Sequence, residues 1–228
     1  MKKVLIIISI LLLSFLCGIY IKRRIYNPKH KLEIAKNEVK VLSEKNEIQN
    51  GDLIFQTSLS NQSKAIQVAT KSKYSHCGII FKKENDSKNW YVIEAVQPVK
   101  WTLLEKWIAR GKDGHYIIKR LSSDPILPQP MLLKLRTNAE KYLGKNYDFT
   151  FEWSDDKIYC SELLWKVYKK TTGIEIGKLE KLKDFNLNNE IVIKKMNKRY
   201  GKNFPMNETV ISPKSIFESE NLITIKSN

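Results

Sequence analysis

Ile158-Tyr159-Cys160-Ser161-Glu162-Leu163-Leu164-Trp165-Lys166-Val167-Tyr168 is the stretch on which the fold turns. Leu163, Leu164, Val167 and Tyr168 recur at helical spacing, so the run from Ser161 predicts an amphipathic helix packed by one face. The polar turn Asp155-Asp156-Lys157 precedes it, and Ser161 and Glu162 suit a first helical turn. Cys160 therefore falls at or beside a helix N-terminus. Unpaired amides there carry partial positive charge, which favours thiolate over thiol and supplies donors for an oxyanion. Such a thiol is a candidate nucleophile. The alternative is a small buried cysteine that packs the start of the helix.

Upstream of that helix, an aromatic stretch runs from Tyr147 to Trp153. Before it, Pro125, Pro128 and Pro130 mark a loop that leads into a helix from Met131 to about Leu143, ended by Gly144. Further back, Asn50-Gly51-Asp52 is a turn signal opening the short strand Leu53-Ile54-Phe55. Ser60 to Lys71 carries Ala65, Ile66, Val68 and Ala69 at helical spacing and predicts a helix with a Ser or Asn cap. Tyr74 to Phe81 reads as a buried strand. Trp90 to Val96 reads as its hairpin partner across the polar turn at 84–89. Trp101 to Ala109 predicts a short helix, and His115 to Leu121 a third strand. Beyond Thr171 the chain is rich in Lys and Asn, until Ser212-Pro213 places a proline early in a short helix. Helix and strand alternate without a regular βαβ period, which predicts an α+β fold.

Residues 1–25 have a different character. Met1-Lys2-Lys3 precedes an apolar run from Val4 to Ile21, closed by Lys22-Arg23-Arg24. No small-x-small site follows, and Leu16 before Cys17 makes a poor lipoprotein site, so the run predicts an uncleaved signal anchor. A cleaved signal peptide or lipoprotein leader is the alternative. Basic residues flank both ends and orient the segment only weakly; the domain is expected on the outer side of a membrane. Residues 26–47 read as a polar Lys/Glu-rich connector, and 48–228 as the domain proper.

The 228 residues are 42% hydrophobic and include ten Tyr and five Trp, which suits a packed core rather than disorder. Net charge is +16, but the lysines are scattered along the whole length. There is no Arg-rich block, zinc-ligand spacing or aromatic nucleic-acid motif. No nucleic-acid partner is expected, and the charge fits an anionic surface such as lipid headgroups or acidic wall polymers. Cys17, Cys77 and Cys160 do not make a disulfide framework. Glycine-rich phosphate loops are absent, and the adjacent His76 and Cys77 project to opposite strand faces, so neither a cofactor nor a metal is expected.

A cysteine nucleophile needs a base, usually His, and a third polar group to orient the imidazole. Of the three histidines, His30 falls in the connector and His115 at the start of a strand, where a surface role is expected. His76 begins an otherwise apolar strand and is the candidate base, against the alternative of a satisfied core histidine. Strand alternation implies that only one of His76 and Cys77 lines the cleft that holds Cys160. Glu94 is a carboxylate within the apolar run Val92-Ile93-Glu94-Ala95-Val96, and if buried it needs a partner. Were the two strands paired, Glu94 could accept a hydrogen bond from His76. The alternative is an outward-facing glutamate.

Asn50-Gly51-Asp52-Leu53-Ile54-Phe55, Tyr74-Ser75-His76-Cys77-Gly78-Ile79, Val92-Ile93-Glu94-Ala95, Tyr147-Asp148-Phe149 and Tyr159-Cys160-Ser161-Glu162-Leu163 occur in that order. With Ser212-Pro213 and Ile216-Phe217, they resemble the YiiX/YaeF-type branch of the NlpC-like cysteine hydrolases, the permuted papain-like amidases, over roughly residues 48–222. The resemblance implies a circularly permuted papain-like fold, with an antiparallel sheet packed against the helix that bears the nucleophile. It implies Cys160 as nucleophile, His76 as base and Glu94 as the orienting third member, with Tyr159 and Tyr74 at substrate-binding positions. The expected reaction is hydrolysis of a peptide-like amide, cell-wall peptides among the candidates, through an acyl-thioenzyme. A thiol acyltransferase or lipid-acyl hydrolase on the same fold is the alternative, and a non-catalytic binding module that kept the fold is another. Cys77 departs from the family pattern, which has an apolar residue such as Val there. It is expected to pack behind the strand without touching the chemistry. The Lys-rich stretch 178–202 matches no feature of the family.

Overall fold

The computed structural model describes residues 12–13, 15–19, 27–122 and 127–228. The expected signal anchor lies mostly outside the described residues. Among the described residues, no helix is long and apolar enough to cross a membrane.

Six strands form the main antiparallel sheet: β1 (Leu53–Gln56), β2 (His76–Lys83), β3 (Asp86–Glu94), β4 (Lys100–Leu103), β5 (Ile117–Leu121) and β10 (Leu222–Ser227). Their spatial order is β10-β5-β1-β2-β3-β4. Period-two alternation sorts the side chains. Leu53, Phe55, Cys77, Ile79, Phe81 and Ile93 face one core, while Ile54, Ile80, Val92 and Ile118 face another. The sheet is thus the middle layer of three. Gly78 lets β2 lie against β3, because a Cβ there would come within 2.3 Å of the Val92 Cγ1 and 3.0 Å of the Ile93 carbonyl oxygen.

The first layer holds α1 (Asn27–Glu44) and α3 (Leu104–Ala109). Residues 26–47 are therefore not a peripheral connector. Ala35, Val39 and Leu42, spaced i, i+4 and i+7, bury one stripe of α1 in the core that holds Trp107, Ile108 and Tyr116. Lysines and glutamates dominate the rest of α1, and they hide that stripe in the sequence. The short helix expected at 101–109 is split: Lys100–Leu103 joins the sheet as β4, and only Leu104–Ala109 is helical. Extra pairing partners along β3 won over local helical pattern.

On the opposite face lie α5 (Cys160–Thr172) and α4 (Gln129–Glu140). Leu163, Leu164, Val167, Tyr168 and Thr171 bury one stripe of α5 against the sheet. Gly173, at φ 78°, ends the helix in the left-handed conformation, and its N–H donates to the Lys169 carbonyl. Beside this layer, α2 (Ser63–Thr70) packs on α6 (Glu190–Tyr200). The expected Ser or Asn cap of α2 is not used: Gln62 occupies the cap position and makes no side-chain capping bond. Two-stranded pairings join β6 (Asn146–Tyr147) to β7 (Lys157–Ile158), and β8 (Glu180–Lys181) to β9 (Thr209–Val210). The short helix α7 (Pro213–Phe217) is capped by Ser212, whose side chain accepts from the Ser215 N–H. Antiparallel sheet with helices on both faces, and no βαβ repeat, makes this an α+β fold.

Candidate active site

Cys160 is the first residue of α5, after Tyr159 in extended conformation (φ −106°, ψ 168°). The Glu162 carboxylate turns back to accept from the Tyr159 N–H at 3.4 Å and pairs with Lys166 at 2.8 Å. The start of the helix is fixed from the other side by Ile211. Its N–H donates to the Tyr159 hydroxyl at 3.0 Å, and its carbonyl accepts from Ser161 Oγ at 2.7 Å. That contact accounts for the Ser212-Pro213 motif: it anchors the C-terminal segment against the nucleophile helix.

His76 begins β2, and Glu94 ends the neighbouring strand β3. Their side chains share a face, and His76 Nε2 lies 2.6 Å from Glu94 Oε2. The Cys160 sulfur is the other polar group that acts on the ring, and each shifts the other's proton affinity. Cysteine, imidazole and carboxylate therefore meet in one place, at the end of the sheet where α5 starts.

Glu94 is fully buried and well supplied with donors. Thr102 Oγ1 donates to Oε1 at 2.6 Å, Trp107 Nε1 to Oε2 at 3.1 Å, and the Arg110 guanidinium forms an ion pair with Oε2. Burial alone would raise this carboxyl; His76 and Arg110 outweigh it and hold the group down at about 2. Burial likewise works against a charged His76. The bonds to Cys160 and Glu94 prevail and lift the imidazole to about 9. Cys160 is held well below an ordinary thiol, first by a hydrogen bond from Cys77, against burial, and then by His76. The favoured state of the pair is thiolate and imidazolium.

Sequence reasoning did not anticipate Trp107, Arg110 and Thr102. The usable signal was Glu94 itself, since a buried carboxylate requires donors, and α3 supplies an indole and, at its C-terminal cap, a guanidinium three residues later. Cys77 also needs correction. Its side chain does point to the opposite face from His76, yet both groups act on the Cys160 thiol. The Cys77 thiol and backbone both help hold Cys160 below an ordinary thiol, so Cys77 is not a bystander behind the strand.

Two open cavities meet beside Cys160 and His76. One, of about 720 Å³, has Cys160 in its wall and is lined by apolar side chains including Ala65, Ile66, Leu182, Phe185, Val192 and Met196. The other, of about 870 Å³, has His76 in its wall with Gln56, Ser58, Ser60, Gln97 and Arg110. Gln62 and Tyr147 line both, and Gln62 Nε2 donates to the Tyr147 hydroxyl at 2.9 Å. Of the two tyrosines expected at substrate positions, Tyr159 lines the apolar cavity. Tyr74 lines neither; it is buried against Phe55 and Phe217. Asp148 bonds locally, its Oδ1 accepting from the Thr150 N–H and hydroxyl. His115 lies at the surface, its Nδ1 2.7 Å from the Asn228 carbonyl.

Residues 47–226 match the permuted papain-like amidase enzymes of YaeF/YiiX type, the C92 family. The chain belongs to this family. As a permuted papain-like amidase it is a cysteine hydrolase, and its fold is the permuted papain-like one. An uncharacterized protein YiiX of Escherichia coli strain K12 is 48% identical over 177 residues, which cover 78% of this chain and 85% of that protein. A crystal structure titled as the metalloprotein yiiX from Escherichia coli O157:H7 superposes with a TM-score of 0.75 at 48% identity, covering 80% of this chain and 98% of that one. Among the described residues, no group of three or more His, Cys, Asp or Glu side chains is placed to hold a metal ion. The donor set here thus does not fit that title, and the amidase chemistry is derived without a metal.

Proposed function

We propose that this permuted papain-like amidase hydrolyses an amide through an acyl-thioenzyme carried by Cys160, with His76 as acid and base and Glu94 as its orienting partner. The observation that carries the reading is the buried chain of contacts from sulfur to imidazole to carboxylate at a helix N-terminus. The Cys160 thiolate attacks the carbonyl carbon, and the free amides at the start of α5 would stabilise the oxyanion. The imidazolium gives its proton to the leaving amine. The neutral ring then takes a proton from water, which hydrolyses the thioester and returns Cys160. Glu94 keeps the ring in one orientation through this cycle, and Arg110 keeps Glu94 ionised.

The cavities favour an order for the two halves of the substrate. The acyl half bonds to Cys160 and would occupy the apolar cavity; the leaving half departs on the polar side, beside His76. The apolar lining of that cavity supports the second reading, an apolar acyl chain in place of a peptide-like acyl group. Tyr159 belongs to the acyl side of this proposal. The N-terminal apolar run, as a membrane anchor placing residues 48–228 outside the cytoplasm, remains part of the same proposal, since an anchored enzyme would meet wall peptides or lipid substrates there.

The test is to incubate the wild-type protein and Cys160→Ala with two panels, wall-peptide amides and N-acyl amides of graded chain length. Cys160→Ala should lower the rate by about 10³-fold or more on whichever panel is cleaved. Activity that survives the substitution removes the mechanism. Equal rates on polar and long apolar acyl groups remove the second reading and leave the first.

A further inference from the structure

Two cysteines, not one, occupy this site, and the hydrolase cycle uses one of them. Cys77 is fully buried on the β2 face that meets α5, and Cys160 begins α5 with almost no exposure. Both belong to the one buried cluster formed where β2 packs on α5, and each thiol acts on the other's proton affinity. Cys160 lines the apolar cavity, whereas Cys77 lines neither cavity. A small uncharged oxidant that enters from solvent therefore meets Cys160 first and finds a second thiol waiting behind it. No other described cysteine is near: Cys17 is exposed in the N-terminal segment.

We propose that Cys160 and Cys77 form a reversible disulfide under hydroperoxide, which switches the hydrolase off and shields its nucleophile from irreversible oxidation. In the first step the Cys160 thiolate attacks the peroxide oxygen. An S–O bond forms, the O–O bond breaks, and the departing hydroxide or alkoxide takes the His76 imidazolium proton to leave as water or an alcohol, giving a sulfenic acid. In the second, the Cys77 sulfur attacks the Cys160 sulfur. The S–S bond forms as the S–O bond breaks, and the hydroxyl leaves as water with the Cys77 proton. A dithiol reverses the linkage by two exchanges, itself becoming a disulfide. The stabilised Cys160 thiolate suits the first step, and burial of Cys77 keeps its thiol protonated and unreacted until the sulfenic acid is beside it. Loss of activity on oxidation rests on the reading of Cys160 as nucleophile. The linkage itself does not, so it is read by mass.

The experiment uses the full chain carrying Cys17→Ser, treated with a few equivalents of hydrogen peroxide, then analysed by intact mass and by peptide mapping before and after dithiothreitol. The expected product has lost two hydrogens and contains a Cys77–Cys160 cross-linked peptide, and dithiothreitol returns both thiols and the starting activity. Cys77→Val, with Cys77→Ala as a second variant should the first fail to fold, should instead gain two or three oxygens on Cys160 that dithiothreitol does not remove. Oxygen addition at Cys160 with Cys77 still free in the parent protein overturns the proposal. So does a linkage between two chains. A cross-link that forms in a protein inactive on every amide leaves the oxidation chemistry standing and removes only the hydrolase reading.

Discussion

Glu94 shows how a single side chain sets the protonation of this site. It has no exposed surface, yet an imidazole, an indole, a hydroxyl and a guanidinium converge on its two oxygens. The anion holds the proton on His76, and the imidazolium in turn holds Cys160 as thiolate. With Cys160 held low and His76 lifted to about 9, kcat/KM should fall on the acid side as the thiolate protonates and on the alkaline side near pH 9 as His76 loses its proton. Glu94→Gln removes the anion, so the alkaline limb should move down by about one pH unit or more, with a loss of about 10²-fold at neutral pH. A pH profile of the Gln variant with an unmoved alkaline limb would show that Glu94 does not govern the ring. The same shifts act on stability. The raised His76 contributes fully below its unfolded value of 6.5, a contribution lost as pH rises through about 9. The depressed Glu94 contributes above its unfolded value of 4.5, and this is lost as pH falls toward about 2. Much of this was legible at the residue level, because a histidine and a carboxylate in apolar strands are each anomalous without a partner. Arg110 was not legible, since a surface-type arginine after a short helix looks like any other until the sheet brings it under Glu94.

α1 illustrates what is lost at the scale of elements. Its weak periodicity at Leu32, Ile34, Val39 and Leu42 mixed exposed and buried positions, and one member of the true stripe is Ala35, whose small side chain contributes little pattern. The structure nevertheless closes the Trp107 core with this helix, and Trp107 in turn donates to Glu94. Leu42, fully buried there, should cost about 2–5 kcal/mol when cut to alanine, read from urea unfolding. A change below about 0.5 kcal/mol would mark α1 as the peripheral connector that its composition suggested. Helix α5 was legible for the opposite reason: four large or β-branched positions at helical spacing after a polar turn leave few alternatives. α6 falls between the two cases, with only Val192 and Met196 buried among lysines, and it became interpretable only as the far wall of the apolar cavity.

At the scale of the whole molecule, the permuted order of motifs predicted the α+β architecture, but the pairing of one apolar and one polar cavity across the triad depends on contacts between segments more than a hundred residues apart. Gln62 on the α2 side and Arg199 on α6 are hydrogen-bonded at 2.8 Å over such a distance. Net charge is the other global property: of the +16 on the chain, five charges are Lys2, Lys3, Lys22, Arg23 and Arg24, and the +11 left on residues 27–228 should draw the domain to anionic surfaces independently of the apolar N-terminal run. Residues 27–228 are therefore expected to bind vesicles that contain anionic lipid, and to bind vesicles of neutral lipid much more weakly. Surface attraction of this kind is screened over roughly 10 Å at 0.1 M salt, so the bound fraction in a sedimentation assay should fall steeply between low and physiological ionic strength. Salt-independent binding to both vesicle types would point instead to insertion of apolar surface, and Leu133 and Ile223, exposed on α4 and β10, would be the first positions to substitute. Binding to neither type would show that charge alone does not hold the domain on such a surface.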